Sequence, residues 1–267
     1  MDKTGRKGKV IAIANQKGGV SKSTTAMNLG IGIARAGKKV LEIDLDPQGS
    51  LTASMGVKVP DKLEKTVAEV MASIIAGKDV EAGYGLLAHE EGVWFLPANI
   101  NLAAVEVSLI SAMGREYMLR EYIETVAPCF DYIIVDCNPS LGMLTINALA
   151  AADSVIIPLQ AQYLSLRGLE ELVATIIRIR KRINPALDIE GILLTMVDAR
   201  TNFSKEIMEI VRENYGKRIP VFENYIPLSV RVAEASAEGK SIFVHDPKGR
   251  AAMAYELLTK EVLAHDS

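Results

Sequence analysis

The sequence predicts an α/β fold, a doubly wound and mostly parallel β-sheet with helices on both faces. Short runs rich in β-branched residues alternate along the chain with longer segments of helical periodicity. Several of these runs are apolar almost throughout, as expected of parallel strands that are covered on both faces. A chain of 267 residues is also long enough to bury a large core without disulfides or a structural metal.

The predicted elements follow one another in the order of successive βαβ units. The apolar runs predicted as strands are residues 10–14, 40–43, 132–135, 154–157 and 191–195. The helical patterns cover residues 22–36, 141–151, 164–183 and 203–215. Gly37 and Pro185 are the predicted stops of the first and third helices. Because crossovers between parallel strands are right-handed, this order leads to a doubly wound sheet.

We expect residues 1–267 to form a single domain. Segment 56–92 is less periodic and contains several glycines, so it is predicted to be an insertion of helix and loops rather than a second domain. Residues 1–8 are predicted to form a basic, flexible arm. For this arm, a solvated tail and a contact with DNA both remain open.

The charge and cysteine content exclude several classes of protein. A net charge of -3, with 49% apolar residues, is that of an ordinary soluble globular protein. No apolar run reaches the ~18 residues of a membrane span, and the basic start leads to no signal-cleavage site, so the cytoplasm is the expected location. Cys129 and Cys137 bracket a predicted strand and are too far apart to share a metal or a disulfide within one subunit, so both are expected to be buried, inert thiols.

Segment 15–24 lies between the first predicted strand and the first predicted helix and has the composition of a phosphate-binding loop. Glycines let backbone N–H groups approach phosphate oxygens closely, and the following helix adds the positive end of its dipole. We expect Lys22 to reach the β- and γ-phosphates of a nucleotide and the Ser23 hydroxyl to ligate Mg²⁺. The expected nucleotide-binding residues of the loop are Lys17, Gly18, Gly19, Val20, Ser21, Lys22, Ser23 and Thr24.

The loop departs from the ordinary P-loop pattern G-x-x-x-x-G-K-[ST], because Gln16 and Ser21 occupy the positions of its two glycines. It fits instead the pattern K-G-G-x-x-K-[ST], in which Lys17 is an additional lysine. At Ser21 a Cβ is tolerated if the backbone φ is negative, but it costs ~1 kcal/mol or more if φ is positive.

Three aspartates follow or close predicted strands, at the sheet edge where ligands of open α/β sheets bind. Asp44 and Asp46 come at the end of strand 40–43, and Asp136 closes strand 132–135. Hydrolysis of a phosphoanhydride needs an oriented water and neutralised charge rather than covalent chemistry. We expect Asp136 to hold Mg²⁺, usually through water, and Asp44 to lie near the same ion.

These motifs resemble those of the ParA/Soj-like partition ATPases. That family belongs to the deviant Walker A group of P-loop NTPases, which also contains MinD and the nitrogenase iron protein. The resemblance extends from Lys9 to about Val262. It is carried by Asn15-Gln16-Lys17-Gly18-Gly19, Leu45-Asp46-Pro47-Gln48-Gly49, Tyr132-Ile133-Ile134-Val135-Asp136-Cys137 and Leu194-Thr195-Met196-Val197-Asp198-Ala199-Arg200-Thr201-Asn202.

The resemblance implies an ATPase with slow intrinsic turnover that binds ATP and Mg²⁺ between two copies of itself. In such a homodimer Lys17 is the signature lysine that reaches the phosphates of the other subunit. Lys17, Lys22 and Asp46 are then the catalytic residues, and Asp46 orients the attacking water. The family usually has glycine at Ser21 and proline at Asn138, so this chain differs at both positions.

The segment 225–235 resembles the family stretch that packs on adenine. Pro227 and Ser229 are therefore expected base contacts, although a role of Pro227 in merely ending a strand is equally open. Leu228 and Ser229 replace the family's arginine and asparagine.

The resemblance also implies partners. Arg200 and Arg231 match family arginines that bind DNA without sequence preference, and such binding should weaken steeply with salt because it rests on phosphate neutralisation. The implied role is segregation of a chromosome or plasmid, in association with the nucleoid, with hydrolysis stimulated by a ParB-like protein. For the basic cluster 178–182, a solvated helix end and a DNA contact are both open.

The alternative is a MinD-like, membrane-associated positioning ATPase. Such relatives end in a basic amphipathic helix, whereas Lys260 is the only Lys or Arg in residues 254–267. An anionic bilayer would repel the acidic residues of this segment, so no membrane partner is expected. An iron–sulfur cluster is not expected either, because Cys129 falls at the wrong end of its strand and leaves Cys137 alone.

Overall fold

The computed structural model describes residues 8–161 and 165–265, without the side chains of 165–167. The predicted arm, apart from Gly8, therefore lies outside the described residues. One sheet runs through this part of the chain in the order β3-β4-β2-β5-β1-β6-β7. Its strands are β1 (Lys9–Ile13), β2 (Val40–Leu45), β3 (Leu87–Ala88), β4 (Trp94–Leu96), β5 (Tyr132–Cys137), β6 (Ser154–Gln160) and β7 (Asp188–Thr195).

All neighbouring strands are parallel except β3 and β4, which form an antiparallel edge pair. The predicted strands appear as β1, β2, β5, β6 and β7, and the short pair β3–β4 extends the sheet beyond β2. The prediction of a doubly wound, mostly parallel α/β fold is confirmed.

Helices cover both faces of the sheet. Within the described residues they are α1 (Lys22–Arg35), α2 (Ser50–Ser54), α3 (Val67–Ile75), α4 (Leu102–Leu109), α5 (Met118–Val126), α6 (Met143–Ala151), α7 (Ser165–Arg182), α8 (Asn202–Tyr215), α9 (Val230–Ala237), α10 (Ile242–His245) and α11 (Arg250–Ala264). The four helices predicted from periodicity correspond to α1, α6, α7 and α8, with bounds shifted by one or two residues. None of the helices in this part of the chain combines the length and apolarity that a bilayer crossing requires.

The core consists of one apolar layer on each face of the sheet. On one face, α3 to α8 pack on side chains such as Leu41, Ile133 and Ile157. On the other face, α1, α2 and α9 to α11 pack on side chains such as Ile11, Ile13 and Ile134. Alternation along each strand sends neighbouring residues to opposite layers, which is why these strands are apolar throughout.

Segment 56–92 packs against the same sheet as the rest of the described chain. It contains a 3₁₀ turn at Pro60–Lys62, helix α3 and edge strand β3. Val67, Val70 and Met71 of α3 are buried against the first apolar layer. The segment therefore extends the sheet and the core of the surrounding fold.

The strand register determines where the polar side chains meet. Ile13 at the end of β1 pairs with Asp136 of β5, and Asp44 of β2 pairs with the same aspartate from the other side. The carboxyl ends of β2, β5 and β1 thus lie next to one another at the same end of the strands. The glycine-rich loop follows β1 at this carboxyl end, where a ligand site is expected in an open α/β sheet.

Candidate functional site

The glycine-rich loop connects β1 to α1 in a backbone conformation that favours glycine at two positions. Gly19 has a φ of 70° and Ser21 a φ of 65°, both in the left-handed region. Ser21 is the N-cap residue of α1, but its side chain makes no capping hydrogen bond. The φ of Ser21 is therefore positive, and the expected cost of a Cβ at this position, ~1 kcal/mol or more, applies.

Side chains on both sides hold the loop in place. Asn15 Nδ2 donates to the carbonyl of Pro158 at 2.7 Å, and its Oδ1 accepts from the backbone N–H of Lys17 at 3.0 Å. Gln16 Nε2 donates to Glu171 Oε2 on α7 at 2.8 Å. The loop is thus anchored to β6 and to α7 before it reaches α1.

Lys22 lies over this loop. Its Nζ donates to the carbonyl of Lys17 at 3.1 Å, and the residue is 7% exposed. Burial lowers the pKa of Lys22, while the nearby Asp136 and Asp46 favour its charged form. An ammonium group in this position would be stabilised further by a bound phosphate, which supplies negative charge at close range.

Asp136 is the buried carboxylate beside Lys22 and Ser23. It is fully buried, and neither carboxylate oxygen has a hydrogen-bond partner of good geometry among the described residues. Burial and the neighbouring Asp44 raise the pKa of Asp136 well above its usual value, whereas Ser23 and Lys22 act in the opposite direction. A buried carboxylate with free lone pairs next to a hydroxyl is the oxygen donor set that Mg²⁺ prefers, so these residues fit the ion.

Asp44 has different surroundings. Its Oδ2 accepts from the backbone N–H and the hydroxyl of Thr52 at 2.8 and 2.7 Å, and its Oδ1 accepts from the backbone N–H of Asp46 at 3.1 Å. Burial raises the pKa of Asp44 to about 6 in spite of these bonds. Asp44 therefore shapes the turn after β2. Because it pairs with Asp136 in the strand register, it also lies close to the predicted metal ligands Ser23 and Asp136.

Asp46 follows Asp44 at the mouth of the site. It is 8% exposed, and its Oδ1 accepts from the backbone N–H of Gln48 at 3.0 Å. It lines the same cleft as Lys22 and Ser23. The turn that Asp44 holds thus presents a carboxylate directly to the space above the loop.

A cleft of about 520 Å³ lies above the loop and brings most of the predicted residues together. Its walls include Gly18, Gly19, Ser21, Lys22, Ser23, Thr24, Asp46, Pro227 and Ser229. Lys17 and Val20 do not line it, and Val20 is fully buried. Pro227 is held beside β7 because the backbone N–H of Leu228 donates to the carbonyl of Val197 at 3.1 Å.

Other residues of the cleft were not found from the sequence. Gln48, Ser50, Ser54, Pro139, Met196 and Tyr255 also line it. Met196 follows β7 with a φ of 52°, which is unusual for a residue that is not glycine. Gln48 and Met196 lie within motifs that carry the family resemblance but were not predicted as site residues, whereas no spacing pattern marks Ser50, Ser54 and Tyr255, which only tertiary folding brings to the cleft.

The two predicted DNA-binding arginines face solvent with carboxylate partners. Arg200 Nε and Nη2 donate to the two carboxylate oxygens of Asp198, each at 2.8 Å. Hydrogen bonds from Arg200 hold the pKa of Asp198 at about 2. Arg231 Nη1 donates to Glu234 Oε2 at 2.9 Å. Each arginine is accessible, but a phosphate would have to compete with the neighbouring carboxylate for the guanidinium group.

The fold and the site together define a class of protein. A parallel sheet whose first strand leads through a glycine-rich loop into a helix, with a buried lysine over the loop and an aspartate on the adjacent strand, is a P-loop nucleotide-binding protein. A family model described as an AAA domain matches residues 8–189.

Similarity to known proteins identifies the family within the P-loop nucleotide-binding proteins. The sporulation initiation inhibitor protein Soj of Bacillus subtilis is 44% identical over 258 residues, which are 97% of this chain and 99% of Soj. The chromosome partitioning protein ParA of Myxococcus xanthus is 41% identical over 263 residues, 97% of this chain and 89% of that protein. The chain therefore belongs to the ParA/Soj-like ATPases.

A solved structure supports the same fold. Cobyrinic acid a,c-diamide synthase from Mycobacterium smegmatis, with a bound ATP analogue and magnesium, superimposes with a TM-score of 0.84 at 39% identity. The match covers 97% of this chain and 95% of that structure.

Proposed function

We propose that the protein is a Mg-ATP-dependent switch in chromosome or plasmid segregation. Two copies enclose ATP, the dimer binds DNA without sequence preference, and hydrolysis ends both interactions. One observation carries the nucleotide part of this proposal. A buried lysine and a buried aspartate, whose oxygens lack a hydrogen-bond partner of good geometry, lie close enough to influence each other's pKa beside a glycine-rich loop, and Mg²⁺ with a triphosphate would neutralise both.

Each residue of the site has a proposed task. Backbone N–H groups of residues 18–24 and the Lys22 ammonium bind phosphate oxygens. When bound, Mg²⁺ supplies positive charge for the phosphates, and Ser23 and Asp136 are placed to hold it. Asp46 orients the attacking water, because it lines the cleft and the backbone N–H of Gln48 fixes one of its oxygens.

The adenine is proposed to lie against Pro227 and Ser229. Both line the same cleft as Asp46, and Met196 also lines it. An apolar wall with a few polar groups suits a planar base.

The proposed dimerisation is based on the position of Lys17. This residue does not line the cleft of its own chain, although its carbonyl accepts from Lys22 within the loop. We propose that this lysine of the loop acts on the phosphates of a second copy, because it does not line the cleft of its own chain. The proposal also rests on family membership, because Lys17 matches the signature lysine of the ParA/Soj-like ATPases and the chain is 44% identical to Soj and 41% identical to ParA.

The DNA contact is proposed at Arg200 and Arg231. Both lie on the carboxyl-end side of the sheet, and Arg200 lines a groove of about 670 Å³ that also includes Pro227 and Ser229. A surface that shares residues with the nucleotide cleft can change with nucleotide state. A ParB-like protein is the proposed stimulating partner, and the nucleoid in the cytoplasm is the proposed location.

The test is retention of the protein on DNA of random sequence with ATP, with ADP and without nucleotide. We expect the protein to be retained on DNA with ATP but not with ADP or without nucleotide, and we expect this retention to fall steeply as the salt concentration rises. Arg200→Ala and Arg231→Ala should lose retention but keep ATP-dependent dimerisation. Arg115→Ala is the matched control, because Arg115 is also exposed and paired with a neighbouring carboxylate, Glu116 at 3.1 Å.

The same experiment separates the MinD-like alternative. Binding to anionic liposomes with ATP, and none to DNA, would contradict the DNA proposal. The structure gives reason to expect the opposite result: Tyr255, Leu258 and Val262 of α11 are fully buried against the core. The main apolar face of the last described helix is thus already occupied by the protein itself.

A further inference from the structure

A second cleft of about 560 Å³ lies at the opposite end of the sheet from the phosphate loop. Its residues precede or begin strands β2, β4 and β5, and we call it the amino-end cleft. Leu86, Trp94 and Val126 form its apolar walls, Val40 and Phe130 form its floor, and Lys38 and Lys39 lie at its rim. Strand β2 has six residues at ~3.3 Å each, so about 20 Å separate this cleft from the nucleotide site.

The fold leaves apolar surface open here. Trp94, at the start of the edge strand β4, is 47% exposed, although a side chain of this size gains much from burial. Phe130 is 7% exposed and Val40 is 1% exposed, so the floor of the cleft is part of the packed core. A floor of buried core residues with a half-exposed indole beside it gives a concave apolar surface that is suited to binding a ligand.

The charge of the cleft has one sign. Lys38 and Lys39 are exposed, and they are its charged lining residues among the described positions. Neither ammonium group forms an ion pair within residues 8–161 and 165–265. Asp131, which follows the lining residue Phe130, uses Oδ2 to accept from the backbone N–H of Lys39 at 2.8 Å.

We infer that the amino-end cleft binds a small amphiphilic organic anion. The ligand has an apolar aromatic or aliphatic body and one carboxylate, sulfonate or phosphate group. Its body packs between Trp94, Phe130 and Leu86, and its anionic group meets Lys38 and Lys39. The volume lies within the range of about 300–1,000 Å³ found for small-molecule sites. The inference does not depend on the proposed function, because none of these residues belongs to the nucleotide cleft.

The chain provides two reporters for a test. Trp94 is its only tryptophan, so energy transfer from tryptophan reports a dye bound within Förster distance of β4, and protection of Cys129 then assigns the dye to this cleft. Cys129 lines the cleft and is exposed, whereas Cys137 is buried, so a thiol reagent modifies Cys129 first. The probe is 8-anilinonaphthalene-1-sulfonate, which has an aromatic body and one sulfonate.

We expect saturable energy transfer from Trp94 to the probe and slower modification of Cys129 when the probe is bound. Lys38→Gln combined with Lys39→Gln should weaken probe binding about threefold to tenfold, as expected for two exposed charge pairs. The matched control is Lys205→Gln combined with Lys217→Gln, which removes the same charge from exposed positions elsewhere and should change nothing. Ala82→Phe, at an exposed lining position, should fill the cleft and abolish the transfer while ATP binding persists.

Two outcomes would overturn the inference. In the first, transfer and Cys129 protection are the same in the wild type, the lysine variant and Ala82→Phe. In the second, Trp94 emission and Cys129 reactivity change with protein concentration alone, which assigns the cleft to a second copy of the chain. The lysine variant keeps the test valid even if Ala82→Phe fails to fold.

Discussion

At the scale of single residues, Ser21 is the strained position of the phosphate loop. Its φ of 65° costs about 1–2 kcal/mol for a residue with a Cβ. We expect Ser21→Gly to raise the free energy of unfolding by up to about 1 kcal/mol, since the greater freedom of glycine in the unfolded chain offsets part of the gain. Urea unfolding without nucleotide measures the change. Ser21→Ala keeps the strain and serves as control, and a Gly variant no more stable than the Ala variant would contradict the argument.

Asp136 should destabilise the protein in the absence of ligands. Because its folded-state pKa is raised, the unfolded state loses this proton first, and stability falls as pH rises from about 4 towards the folded-state pKa. Asp136→Asn should therefore raise the free energy of unfolding by about 1–3 kcal/mol at neutral pH and flatten this pH dependence. The same variant should lose most Mg²⁺-dependent nucleotide affinity. Unfolding at pH 5 and 7.5, with and without Mg-ATP, measures both effects.

Asp44→Asn gives the matched comparison. Its carboxylate accepts three hydrogen bonds, so an amide would turn a donor towards Thr52 or Asp46. The raised pKa of Asp44 also favours a neutral group, but we expect the reversed hydrogen bond to outweigh it and to lower the free energy of unfolding by about 1–3 kcal/mol, opposite in sign to Asp136→Asn. If both substitutions shift stability in the same direction, the distinction between a loop-shaping and a ligand-binding aspartate is wrong.

At the scale of elements, Glu190 of β7 connects the first strand to the last described helix. It accepts from Lys9 Nζ at 2.9 Å and from His265 Nδ1 at 2.9 Å, and His265 stacks on Phe222. Burial raises the pKa of Glu190, but the Ser154 hydroxyl, Lys9 and His265 together outweigh it and hold the pKa below its usual value. Three separate parts of the chain are thus tied through one carboxylate.

Glu190→Gln should lower the free energy of unfolding by about 1–3 kcal/mol at neutral pH. Because the folded-state pKa is depressed, this contribution is present above the unfolded-state pKa and disappears as pH falls through the folded-state pKa. Thermal unfolding of wild type and variant should therefore converge in acid. Glu256→Gln, which breaks the exposed pair with Lys260, is the control and should cost almost nothing.

The elements also show what a sequence can reveal. The strands β1, β2 and β5 and the loop before α1 were predictable because their apolar runs and glycine spacing are local properties of the chain. The edge pair β3–β4 was not predicted, since Leu87–Ala88 and Trp94–Leu96 are too short for a periodic signal. Met196 and the bonds of Asp44 to Thr52 depend on contacts between distant segments, and no local pattern encodes them.

At the scale of the whole molecule, the proposed switch depends on Lys17 acting outside its own chain. We expect Lys17→Ala to bind ATP as a monomer but to lose ATP-dependent dimerisation, because its own cleft does not contain this side chain. Lys22→Ala should instead fail to bind ATP. Nucleotide affinity together with sedimentation in a non-hydrolysable ATP analogue separates the two defects. Dimers of the Lys17 variant with normal affinity would rule out the proposed cross-subunit contact.

The place of β1 in the sheet has a mechanical consequence. It lies between β5 and β6, and the loop at its carboxyl end is fastened to Pro158 at the β6 side. Tension on the nucleotide pulls this strand along its own axis, so the ladders to both neighbours must shear together. The two-residue strand β3 has one partner and can peel away bond by bond. When the protein is stretched in an optical trap, the edge pair β3–β4 should separate first, and the phosphate-binding loop after β1 should be disrupted last.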